Sequence, residues 1–201
     1  MPIAPSTRKT RATHSGLISA TREVVRRTGT VAPEQVAEAA GVSSATLYSY
    51  FGSKDLLLAA AFDAALDDIN QSTSSILSVE RLLENGWENT ARALVRSVVR
   101  RFTHDARLVR LAVARLADSQ EVRHIYRKRQ EEAQSTIHKF IRLGGTAGKL
   151  RSGEDDVLAK AMLVLLQGLQ NPLVLQPGAG PIVDEIAGAV FRLLAPPPDL
   201  D

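Results

Sequence analysis

Ser43, Ser44, Ala45, Thr46, Tyr48, Ser49, Tyr50 and Lys54 put six hydroxyl side chains and one ammonium into twelve consecutive residues. No acid, base and nucleophile are grouped there, so the chemistry on offer is hydrogen bonding to a polar surface rather than bond making. Ala45, Thr46, Tyr48 and Ser49 fall on the helix face opposite Leu47 and Phe51, and Ser44, Ala45, Thr46 and Ser49 are short. They suit the edges of base pairs. None can make the bidentate contact that Arg makes to guanine, so any direct reading would rest on hydroxyl bonds and on apolar contact with thymine methyls. Tyr48, Tyr50 and Lys54 suit phosphates, which fix register without reading sequence.

Other chemistries find little support. Residues 143–150, LGGTAGKL, approach a phosphate-binding loop. They lack its first glycine and its final hydroxyl, and they follow a helical rather than a strand pattern, so a flexible connector is expected. Glu121 and His124 lie one helical turn apart, but a di-iron bundle needs a second such pair, and an exposed ion pair is the expectation. His14, His104 and His138 have no ligand spacing. With no cysteine, disulfides, zinc–thiolate sites and thiol nucleophiles are excluded. No enzyme, cofactor or metal is expected.

The elements that must hold the hydroxyl face are legible around it. Pro33 suits a first helical turn, Val36, Ala37 and Ala40 give a small apolar face, and Gly41 permits a tight exit. Ser43 and Ser44 are caps for a second helix, predicted to run to about Tyr50, with Leu47 and Phe51 pointing inward. Gly52 to Asp55 turn the chain into a long helix, predicted over residues 54–76. Residues 15–28 form a preceding helix that ends at Gly29, and residues 1–13 read as a mobile basic arm.

The string AGVSSATLYSYFGSKDLLLAA resembles the DNA-binding signature of the tetracycline-repressor (TetR-type) family of bacterial transcriptional regulators, with Gly41, Val42, Ser43, Thr46, Leu47, Tyr48, Phe51, Lys54 and Leu57 at the expected places. The resemblance covers about a quarter of the chain. It implies a homodimer that binds inverted-repeat operator DNA and releases it when a small effector enters a larger domain, most often as a repressor. Two departures stand out. Ala32, Pro33 and Glu34 replace the usual hydroxyl cap and basic residue at the start of the second helix, and Ala45 replaces a frequent glycine. Arg8, Lys9 and Arg11 are therefore expected to compensate from the arm, on the DNA backbone or in the minor groove.

Charge agrees with this polarity. Residues 1–54 carry seven basic and three acidic side chains, a balance of +4, whereas the remaining 147 sum to −1. The longest apolar stretch, residues 56–62, is far short of the roughly 20 residues that cross a bilayer. With no secretory pattern at the start, a cytoplasmic protein without membrane contact is expected.

The rest of the chain is helical in period, with helices expected over residues 84–103, 106–116, 122–143, 155–170 and 181–195 and a linker over 171–180. The expectation is an all-α protein, with a DNA-binding helix-turn-helix domain over residues 1–53 and a helical ligand-binding and dimerisation domain over 54–201. In the helix from residue 155, Val157, Ala161, Met162, Leu163, Val164, Leu165, Leu166 and Leu169 cover much of the circumference, which calls for two apolar partners. One can be the core. The other can be a second subunit, joined through this helix and the last one. Phe62, Trp87, Tyr126 and Met162 are candidates to line a site for a mainly apolar effector. The alternative is a helical ligand-binding or adaptor protein with a vestigial DNA-binding domain.

Overall fold

The computed structural model of the chain describes residues 8–196, with side chains described from Thr10 onward. Ten helices follow one another among the described residues, without a strand: α1 (Arg8–Thr28), α2 (Pro33–Ala39), α3 (Ser44–Phe51), α4 (Lys54–Ile76), α5 (Val79–His104), α6 (Ala106–Ala114), α7 (Gln120–Thr146), α8 (Asp155–Gly168), α9 (Pro172–Leu175) and α10 (Gly180–Leu194). They form two compact units, Met1–Asp67 with His104–Lys128, and Asp68–Thr103 with Arg129–Asp201. The all-α expectation holds. None of the described helices is long and apolar enough to cross a membrane.

In the first unit α1 lies against α2 and α6, and α2 against α3. Leu17, Val24 and Val25 of α1, Val36 of α2, Leu47 and Phe51 of α3 and Leu108 of α6 are buried. Each comes from the apolar face that its helical period defines. One boundary differs from the sequence reading. Arg8 to Thr13 are the opening turns of α1, not a mobile arm, because Arg, Lys and Ala are good helix formers and no breaker interrupts them. The part of the expected arm over residues 1–7 lies outside the described residues.

In the second unit, α5 is broken at Gly86, whose φ of 72° and ψ of 166° suit glycine alone. The buried Thr90 hydroxyl donates to the Gly86 carbonyl at 2.8 Å and so steadies the restart. The flexible connector expected over residues 143–150 is not one throughout. Helix α7 continues to Thr146, and a Cβ on Gly144 would lie 2.5 Å from Leu150 Cδ1 and 3.0 Å from Leu82 Cδ2. Glycine is needed there for close approach, not for freedom. The expected linker also contains a turn of helix, α9, whose start Asn171 caps by accepting from the Leu173 N–H at 3.0 Å.

Helices α8 and α10 show the two faces that their sequences imply. Leu158, Met162 and Leu166 of α8 and Val183, Ala187, Val190 and Leu194 of α10 are buried. On the other side, Val157 is 59% exposed and Val164 is 66% exposed. Ile182 of α10 is exposed as well.

Candidate nucleic-acid interface

The hydroxyl face is held by a short chain of local causes. Pro33 opens α2 without needing an amide donor, and no side chain caps that helix at Ala32. Gly41 takes a φ of 66° and turns the chain away, while the Val42 N–H closes back on the Ala37 carbonyl at 2.9 Å. Ser43 then caps α3, its Oγ accepting from the Thr46 N–H at 3.1 Å. Gly52, with a φ of 72°, ends the helix, and its N–H returns to the Tyr48 carbonyl at 2.8 Å. Ser53 repeats the capping device for α4, accepting from the Leu56 N–H at 3.1 Å.

With Leu47 and Phe51 buried, the opposite side of α3 faces solvent. Ser43, Ala45, Tyr48, Ser49 and Lys54 are exposed, and Ser44, Thr46 and Tyr50 are half-buried. Three of the hydroxyls are already engaged. Ser43 Oγ and Thr46 Oγ1 lie 2.9 Å apart, and Ser49 Oγ donates to the Thr46 carbonyl at 2.7 Å. A hydroxyl that donates once still accepts, and one that accepts can still donate. The face is therefore a pre-ordered set of donors and acceptors, on a helix whose Ala45 stiffens it relative to glycine.

His14 on α1 supports the far end of that helix. Its ring stacks on Phe51 with centroids 4.9 Å apart and lies 6.3 Å from the Tyr50 ring, tilted. Burial there pushes the imidazole below its ordinary value of 6.5. The folded state thus binds this proton less readily than the unfolded chain. The His14 contribution is complete above about pH 6.5 and is lost as pH falls below it. Thermal unfolding followed from about pH 7 towards pH 5 is expected to fall more steeply for the native chain than for His14→Phe; parallel profiles would contradict this role for His14.

Helix α6 belongs to this unit too, which the sequence reading did not see. Asp105, just before α6, accepts from Arg22 of α1 at 2.7 Å (Nη2 to Oδ2) and 3.3 Å (Nε to Oδ1). Arg107 Nη1 donates to the Arg26 and Arg27 carbonyls at 2.9 and 2.7 Å, satisfying the end of α1. Arg115 pairs with Asp55, in the first turn of α4, at 3.0 Å. The hint in the sequence was the alternation of Arg107 and Arg110 with Leu108, Val109 and Ala112, which makes α6 a basic helix with one buried side.

Arg8 and Lys9 fall in the first turn of α1, where side chains are not described, and Arg11 is exposed on the next turn. The four candidate effector residues appear in two places. In the first unit, the fully buried Phe62 stacks on Tyr126 at 6.2 Å, and burial raises the Tyr126 phenol above its ordinary range. In the second, Trp87 donates its indole N–H to the Phe191 carbonyl at 2.9 Å and packs on Phe140, and Met162 is fully buried. Glu121 does not form the ion pair expected with His124; its carboxylate accepts from the Ser119 hydroxyl at 3.0 Å. Among the described residues, no group of three or more His, Asp and Glu side chains is arranged to hold a metal.

Residues 17–61, which contain most of α1, all of α2 and α3 and the start of α4, match the family model for bacterial regulatory proteins of the tetR family. No curated protein sequence matches the chain. Its fold is similar to that of a solved Mesorhizobium loti chain assigned to the TetR family, with a TM-score of 0.78, 19% identity, and 94% of this chain and 100% of that one covered. A TetR transcription regulator from Haloarcula marismortui gives a TM-score of 0.74 at 15% identity, with 92% and 96% covered. NemR of E. coli in its reduced form gives 0.73 at 18% identity, with 92% and 99% covered. Residues 17–61 therefore belong to the tetR family of bacterial regulatory proteins, on a chain that has the TetR-type fold throughout its described helices.

Proposed function

We propose that the protein is a ligand-responsive transcriptional repressor that binds inverted-repeat operator DNA as a homodimer and leaves it when a small, mainly apolar effector binds. The observation that carries this reading is the exposed, capped face of α3, Ser43 to Ser49, within a segment that matches the tetR family model. Functionally the reader is residues 1–53 and the remainder, 54–201, senses the effector and dimerises. Ser44, Ala45, Thr46 and Ser49 meet base edges, and Ser43, Tyr48, Tyr50 and Lys54 meet phosphates, joined by Arg8, Lys9 and Arg11 from the start of α1. The effector is proposed to be apolar because the candidate side chains Phe62, Tyr126, Trp87 and Met162 carry no charge, although the structure packs them in two places rather than around one cavity.

Dimerisation is proposed through the exposed apolar faces of α8 and α10. Val157 and Val164, seven residues apart on one face of α8, and Ile182 of α10 are exposed apolar side chains that a second subunit would cover. Val164→Glu should leave the fold intact, because the side chain is already exposed, and convert the dimer to a monomer in sedimentation at micromolar concentration. A native chain that sediments as a monomer would remove the dimer from the account. For the reading as a whole, a gel shift with DNA from around the protein's own coding region is the test. A discrete retarded band that the effector dissolves is expected, and no band with any such fragment would favour an adaptor instead.

A further inference from the structure

We infer that the hollow between the end of α1 and the first turns of α6 is a second contact site for the phosphates of bound DNA, an inference that rests on the DNA-binding reading above. The hollow, about 570 Å³, is lined by Arg27, Thr28, Gly29, Arg107, Arg110 and Leu111. Three arginines from two helices line it, and none of the lining side chains is acidic.

Each arginine has charge to offer. Arg107 is fixed by its Nη1 bonds to the α1 carbonyls, which leave Nε and Nη2 for another acceptor. Arg27 donates to the neutral Gln35 of α2 at 3.2 Å, so its charge is not cancelled there. Arg110 is exposed and has no ion pair among the described residues. An arginine fork suits phosphate oxygens better than any other exposed group on this side of the unit.

Position favours DNA over a free anion. A second hollow, lined by Thr30, Val31, Lys54, Asp55, Leu58 and Arg115, shares Leu111 with the first. Asp55 in that hollow is balanced by Arg115, so Lys54 keeps a net positive charge beside it. Lys54, a proposed phosphate contact, thus lines a hollow that adjoins, through Leu111, the one lined by Arg27, Arg107 and Arg110. The site is also open, with no buried polar side chain aimed into it, which is weak for a small anion. It suffices for a polyanion already held by α3, whose next phosphates arrive at high effective concentration. It further supplies charge where the start of α2, with Ala32, Pro33 and Glu34, offers none.

The test uses the full-length chain and a duplex selected for binding from a random library, in two lengths: the selected core alone, and the core with about ten further base pairs, one helical turn, at each end. Salt titration of the affinity counts phosphates, at about 0.9 in the log–log slope for each. Arg27→Ala with Arg110→Ala should lower the slope on the long duplex by about 0.9 per phosphate lost, and leave the short duplex at its native slope. Arg110→Lys should restore most of the slope, with unchanged helical content by circular dichroism in every variant. A double variant with native slopes on both duplexes would overturn this site while leaving the DNA-binding reading intact. A native chain that selects no duplex would overturn both.

Discussion

Arg22→Ala is expected to destabilise the first unit by about 3 kcal/mol, read as a lower urea midpoint at unchanged m-value. The Asp105 carboxylate side chain is only 7% exposed and the Arg22 side chain only 21% exposed, with two hydrogen bonds between them. Removing the guanidinium leaves a nearly buried charge without its main partner, which costs more than the pair contributes. His104 Nδ1, 3.3 Å from Asp105 Oδ2, remains beside the carboxylate and offsets only part of that loss. Asp105→Asn, which removes the charge itself, should cost less than Arg22→Ala. The two combined should cost less than their sum. Additive losses would mean that the two side chains do not depend on each other. The pair spans 83 positions in sequence and ties α1, on which α2 lies, to α6.

Ala45→Asp is expected to abolish operator binding, by about a hundredfold or more, in a protein at least as stable as the native one. Ala45 is exposed in the first turn of α3, where a carboxylate favours the helix dipole by about 0.3–1 kcal/mol. Against DNA the same carboxylate faces the phosphate field, and like-charge contact costs several kcal/mol, each 1.4 kcal/mol being tenfold in affinity. Binding and stability thus move in opposite directions. If α3 were only a structural helix of an adaptor, the substitution would leave every binding activity unchanged. Equal DNA affinity for Ala45→Asp and the native chain would remove α3 from the reader's role.

The reader segment was legible because its determinants are local. Pro33, Gly41, Ser43 and Gly52 each fix a boundary through the adjacent backbone, and Leu47 and Phe51 declare the inner face by their spacing. The span of α4 and the two-faced character of α8 followed from periodicity alone. What escaped depends on partners far along the chain. Gly144 looked like a flexible residue because the side chains that require its small size, Leu82 and Leu150, cannot be identified from its neighbours. The placement of α6 beside α1 rests on Arg22 with Asp105 and on Arg107 with the α1 carbonyls, none of which has a sequence signature. The start of α1 is hidden for another reason: residues 8–13 have helix propensity without an apolar period.

The central claim is that the exposed face of α3 reads DNA, and selection from a random-sequence duplex library tests it most directly. The native chain should enrich an inverted-repeat motif, whose affinity falls with salt and is lost in Ala45→Asp at unchanged helical content. A native chain that enriches no sequence, or enriches the same sequences as Ala45→Asp, would contradict it.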